Sequence, residues 1–143
     1  MAAYPALHRS PLNPNPFFAR RDPGVYVGGP IKKDKLFFFV DFEHMTQVQA
    51  ISVQGNVPSF APLTGVFSSP YHSKQFTAKF DYHISARNTM FARYSHDGND
   101  GFGQVFTFGN PSNWVRNQNW ADQNIVGLTS ILSAAVVNDL RVQ

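Results

Sequence analysis

The sequence contains no cysteine, which excludes a disulfide scaffold and any thiolate metal site. Charge is also scarce. Asp, Glu, Lys and Arg make up 15% of the 143 residues, well below the roughly 25% of ordinary soluble domains. The net charge is +3, and apart from Arg20–Arg21 and the Lys32/Lys33/Lys35 group the basic residues are scattered. There is no basic stripe and no nucleic-acid motif, so nucleic acid is not an expected partner. Long hydrophobic runs are missing too. The longest central one, LFFFV at 36–40, is far short of the ~20 residues of a membrane helix. The opening MAAYPALHRSPLNPNP has no charged segment followed by an apolar one, so no signal peptide is predicted. A membrane-spanning strand needs only about 9–11 residues with one apolar face, and that option stays open.

What is present is aromatic and uncharged-polar. Aromatics reach 15%, with 14 phenylalanines. Mean hydropathy is nonetheless −0.25, because Asn, Gln, Ser and Thr replace the missing charges. Such a balance suits a sheet that is apolar on one side and wet on the other. Residues 1–22 are proline-rich with little periodicity, and read as a loop leading into the structured part, 23–143.

The strongest signal has period two. In SKQFTAKFDYH (73–83) the even positions carry Phe76, Ala78, Phe80 and Tyr82, and the odd ones Gln75, Thr77, Lys79, Asp81 and His83. That is a half-buried strand. After the breaker ISARN (84–88), TMFARYSHD (89–97) alternates again, completing a hairpin. PGVYVGG is a short strand at about 24–29, PIKKD its turn, and KLFFFVDFEHMTQ (35–47) the return strand. A third pair is read at 120–132 and 136–143. Ile125, Leu128, Leu132 and Leu140 also fit helical spacing, so a helix remains the rival there. The six predicted strands are therefore about 24–29, 35–47, 73–84, 89–97, 120–132 and 136–143.

Short turns at 30–34, 84–88 and 133–135 alternate with long links over 48–72 and 98–119. Long structureless links are unusual in a compact domain. Strict short–long alternation places all the turns at one end, as in an up-and-down outer-membrane barrel. The stretch Leu36–His44 spans roughly 30 Å at about 3.3 Å per residue, or about 21 Å of depth when tilted by about 45°, near the ~25 Å apolar band. The expected fold is all-β: antiparallel up-and-down strands forming an incomplete part of a transmembrane outer-membrane β-barrel.

PGVYVGGPIKKDKLFFFVDFE resembles a motif in the barrel of Oar-like TonB-dependent transporters. The matching residues are Asn15-Pro16-Phe17, Gly28-Gly29-Pro30-Ile31, Lys33-Asp34-Lys35, Leu36 to Phe39 and Glu43. FDYHISARNTMFARYS (80–95) and VGLTSILSAAVVNDLRV (126–142) are similar to the hairpins that follow in that family. The resemblance covers roughly residues 13–143. It implies the outer membrane of a Gram-negative cell and energy-coupled uptake of a solute. It also implies as partners outer-membrane lipid, the remaining strands and plug of a full-length transporter, and the TonB complex through an N-terminal part this sequence lacks. The chain then reads as an internal barrel fragment.

The candidate sites follow from the strand faces. Gly28, Gly29, Pro30, Lys33 and Asp34 are assigned to a periplasmic turn. Asp41, Glu43, Gln75, Lys79, Asp81, Arg93, Asp139 and Arg141 are candidate lumen-facing residues. Leu36, Phe38, Val40, Phe42, Phe76, Phe80, Tyr82 and Tyr94 are candidate lipid-facing residues. Asp41 and Glu43, with Cα atoms about 6.6 Å apart, could suggest carboxylate-pair chemistry. No partner acid or base stands at a telling spacing, so they read as wall residues. His44, His83 and His96 lack the spacing of a metal motif. Asp97-Gly98-Asn99-Asp100-Gly101 lacks the closing glutamate of a calcium loop and reads as a flexible turn. Phe102, Phe106, Phe108, Trp114 and Trp120 have three readings: ligand contacts, loop packing, or, with Tyr82 and Tyr94, a girdle at the membrane interface. Neither an enzyme nor a metal or cofactor site is expected. The alternative class is a soluble or secreted antiparallel β binding module.

Overall fold

The computed structural model describes residues 11, 14–15, 17–55, 57–103 and 113–143. Seven strands form one open antiparallel sheet: β1 (Phe18–Arg21), β2 (Gly24–Lys32), β3 (Leu36–Val53), β4 (Gly65–Ser85), β5 (Asn88–Gly103), β6 (Val115–Ser133) and β7 (Val136–Val142). The neighbour order is β1-β3-β4-β5-β6-β7, with β2 also on β3. No helix among the described residues is long and apolar enough to cross a membrane. The C-terminal segment is strand, as Gly127 and its β-branched neighbours favour.

β1 was not expected, since 1–22 reads as loop. FARR pairs with Thr46–Gln49 of β3 in the same register that Gly24–Pro30 keeps with Phe37–Glu43. The pairing carries on at Pro23, whose O accepts from His44 N at 2.9 Å.

The strands also outrun their predicted loop-side ends. β3 continues to Val53, β4 begins at Gly65, β5 reaches Gly103 and β6 starts at Val115. The predicted link 48–72 thus shrinks to 54–64, which holds a 3-10 helix at Pro58–Leu63. Asp97–Gly101, expected as a flexible turn, lies inside β5. In these extensions neither face is consistently apolar, so alternation gives no warning of a strand.

The first turn is a correction as well. Gly28, Gly29 and Pro30 are strand residues opposite Phe39, Phe38 and Phe37, and a bulge falls between Pro30 and Lys32. The turn itself is Lys33-Asp34-Lys35, closed by Lys35 N donating to Lys32 O at 3.1 Å. Asp34 takes the left-handed conformation, φ 59°, which Asp tolerates better than most residues. Glycine was the wrong marker: Gly28 serves close approach instead, since a Cβ there would stand 3.0 Å from Phe38 O.

The chain divides into two compact units. One, comprising Met1–Asp22, Met45–Ser73 and Asn99–Asn119, contains the buried apolar cluster Ile51, Val53 and Trp114 with Phe67 against it. Trp114 meets the Phe67 and Phe102 rings edge-on, with centroids 5.6 and 6.0 Å away. Ser69, also buried, donates its hydroxyl to Phe102 O at 2.8 Å. The second unit, Pro23–His44, Lys74–Gly98 and Trp120–Gln143, has no buried hydrophobic side chain among its described residues.

Candidate functional site

The second unit is a sheet with two chemically different faces, and side-chain contacts fix which residues share each. Phe37 packs on His83, Gln75 donates to Asp97 at 2.9 Å, Lys79 sits over Phe91 and Arg93 donates to Gln123 at 2.8 Å. Thr129 stands opposite Asp139, and Gly127 opposite Arg141. By the period of two, all eight candidate lumen residues fall on this one face: Asp41, Glu43, Gln75, Lys79, Asp81, Arg93, Asp139 and Arg141. Lys79–Asp81 at 2.8 Å and Arg141–Asp139 at 2.9 Å are ion pairs along single strands. Such partly exposed pairs are worth roughly 1 kcal/mol or less.

Asp41 faces Tyr26 across the ladder and Glu43 faces Gly24. Neither carboxylate is ion-paired among the described residues. Phe37 and Phe39 also belong to this polar face. The Tyr26 ring stacks on Phe39, with centroids 6.3 Å apart, so near the first turn the wet face carries a small aromatic patch.

The opposite face holds all eight candidate lipid-facing residues. Phe76 and Tyr94 meet across β4 and β5, with centroids 6.1 Å apart. Val25, Val27, Phe42, Phe80, Met90, Val126, Leu140 and Val142 are exposed there. Although Ser130 and Asn138 interrupt it, a largely apolar face of this extent exceeds what soluble proteins usually leave in water.

One polar cluster on that face was not foreseen. Tyr94 donates its hydroxyl to Asp122 Oδ1 at 2.6 Å, and His96 Nδ1 lies 2.7 Å from the same oxygen. Trp120, 75% exposed, belongs to the same face. The sequence did show a carboxylate at an apolar-face position in WADQNIV, but finding its partners required the β5–β6 register.

In the first unit Arg116 grips Asp100 with both ends of its guanidinium, Nε to Oδ1 at 2.9 Å and Nη2 to Oδ2 at 2.5 Å. These hydrogen bonds hold the Asp100 carboxyl below its ordinary pKa. The Arg116 and His72 charges act in the same direction, against partial burial. The Asp100 partner likewise raises Arg116. Nearby, Asn119 Nδ2 donates to Asn99 and Asn117, at 3.2 and 3.1 Å.

His44, His83 and His96 are not brought together, and no group of three potential metal ligands occurs among the described residues. His72 lies within β4. Phe102 and Trp114 pack together, while Phe106 and Phe108 lie outside the described residues.

A sheet with one wet face, one exposed apolar face and strands of 18, 21 and 19 residues has the build of a membrane barrel wall, which needs only about 9–11 residues to cross. The outer membrane beta barrel domain family matches at residues 1–73 and 68–143, and the chain belongs to it. Its place is therefore the outer membrane. No curated protein and no solved structure matches the chain.

Proposed function

We propose that the chain is a wall segment of a TonB-dependent, Oar-like outer-membrane transporter, serving energy-coupled uptake of a solute. The carrying observation is the second unit's division into a face that gathers most of its charged side chains and a largely apolar, exposed face opposite. In that reading the charged face lines the lumen and the apolar face meets lipid. The Lys33–Lys35 turn lies at the periplasmic side. Trp120, Tyr94, His96 and Asp122 take the outer membrane–water interface, where aromatic rings with polar tips settle. The Oar-like finer assignment is supported by the GGPIKKDKLFFF motif. The partners are outer-membrane lipid, further strands and a plug, and the TonB complex through a segment outside this sequence.

The protein carries out no catalysis and holds no cofactor in this proposal, and Asp41 and Glu43 are solvated wall carboxylates. A soluble binding module would have to leave the apolar face in water.

The test is isolation from its own outer membrane by an affinity tag placed between Ala86 and Arg87. Mass spectrometry should find these strands accompanied by a polypeptide segment that crosslinks to TonB. Recovery as a product of about 16.0 kDa alone, with no crosslink to TonB, overturns the transport reading but leaves the barrel assignment intact.

A further inference from the structure

The chain's excess positive charge is concentrated at two adjacent turns. Lys32, Lys33, Lys35 and Arg87 stand there with Asp34 as the single acid among them. Elsewhere in the sequence basic and acidic residues balance, so the formal +3 belongs to these turns. The turns are neighbours in the sheet, since His83 N, just before the second turn, donates to Lys35 O at 2.8 Å. None of the four cations is ion-paired among the described residues, whereas Arg20, Lys79, Arg116 and Arg141 each hold a carboxylate. Lys35 Nζ instead stands over the Tyr82 ring, 5.9 Å from its centroid. Tyr82 belongs to the apolar face, next to exposed Phe80 and Ile84. Cations without counter-charges therefore border an apolar strip, the geometry of a side chain reaching from hydrocarbon to the headgroup layer.

We propose that this rim binds the headgroups of anionic phospholipids, with Lys35 and Tyr82 at its centre and Lys32, Lys33 and Arg87 around them. The bound group is the phosphate, and the lipid is its source because Phe80 and Ile84 offer the adjoining surface for acyl chains. The inference rests on the apolar face meeting lipid and is independent of solute transport.

The test uses the full chain in neutral detergent micelles doped with fluorescent phosphatidylglycerol or phosphatidylcholine of matched acyl chains. Phosphatidylglycerol should be retained about tenfold or more over phosphatidylcholine, and the preference should fade as salt rises to about 0.5 M. K32Q/K33Q/K35Q/R87Q should abolish the preference, and the charge-keeping K32R/K33R/K35R/R87K should preserve it. Equal retention of the two lipids, or a preference indifferent to salt, overturns the proposal. The salt series needs no variant, so it decides the matter even if the neutralised chain does not fold. Displacement of the lipid by millimolar inorganic phosphate would assign the site to free phosphate and overturn the lipid assignment. Retention of neither lipid overturns it together with the lipid-facing reading beneath it, whereas equal retention leaves that reading standing.

Discussion

The Phe91 ring lies directly across Gly127, so that a Cβ on Gly127 would overlap the ring edge. Gly127 is buried beneath it. A cross-strand aromatic covering a glycine restores the packing that the missing side chain forfeits. Gly127→Ala should therefore destabilise by about 1–3 kcal/mol through overpacking. Phe91→Ala should cost roughly 0.2–1 kcal/mol as a lost cross-strand pair. In the double variant the Gly127→Ala penalty should largely disappear, because the clash has gone. Denaturant unfolding in phospholipid vesicles reads all three, and additive losses would show the ring and the glycine to be independent.

The two tryptophans should separate cleanly. Trp114 is 8% exposed, within the Ile51–Val53 cluster, so Trp114→Ala should cost about 3–5 kcal/mol. Trp120→Ala should leave unfolding nearly unchanged. Quenching by brominated lipid chains should strike Trp120 and spare Trp114, which single-tryptophan variants can show. Equal quenching contradicts the face assignment.

Charge on the wrong face should be costly in a way that charge on the other is not. Lysine at Val126 or Leu140 is expected to destabilise by about 2–4 kcal/mol if the site lies near the bilayer midplane. Lysine at Thr129 or Ser95, on the polar face, should cost little. Insertion yield into vesicles, measured side by side, tests the pair.

Acid should loosen the Asp100–Arg116 grip. The folded-state pKa of Asp100 is lowered, so its contribution is complete above the ordinary carboxylate pKa. It is lost as pH falls through the lowered value. Asp100→Asn should remove the contribution at neutral pH and flatten the acid response. Trp114 fluorescence followed from neutral to strongly acidic pH in a Trp120→Phe background reports this locally. An unchanged acid midpoint in Asp100→Asn would place the response elsewhere.

The faces of the second unit were legible because each strand there meets two different environments. Phe76, Phe80 and Tyr82 alternate with Gln75, Lys79 and Asp81, and parity alone sorts them. Where both faces are polar or mixed the code falls silent, as in β4 around Pro70 and in β5 from Gly98 to Gly103. β1 escaped notice because FARR has no alternation and its pairing depends on a partner strand that runs past Gln47. The Asp122 cluster depends on the alignment of two strands, which composition does not carry. The turn was misplaced because glycine and proline are the usual turn markers, while the left-handed position fell to Asp34.

Pro23, just before β2, and Pro30, within it, occupy opposite phases of the ladder with β3. In an antiparallel ladder both backbone groups of a residue point to the same side, and successive residues alternate. Because Pro23 O accepts from His44 N, the N–H that Pro23 lacks would have pointed inward, to β3. The amides of Gly24, Tyr26 and Gly28 point outward and are intact, while Pro30, in the same phase, has none to offer. The outer edge of β2 thus has a built-in stop. A strand docking there can zip along from Gly24 to Gly28 but finds no donor at Pro30, which fixes how far toward the Lys33–Lys35 turn the next staple of the wall can reach.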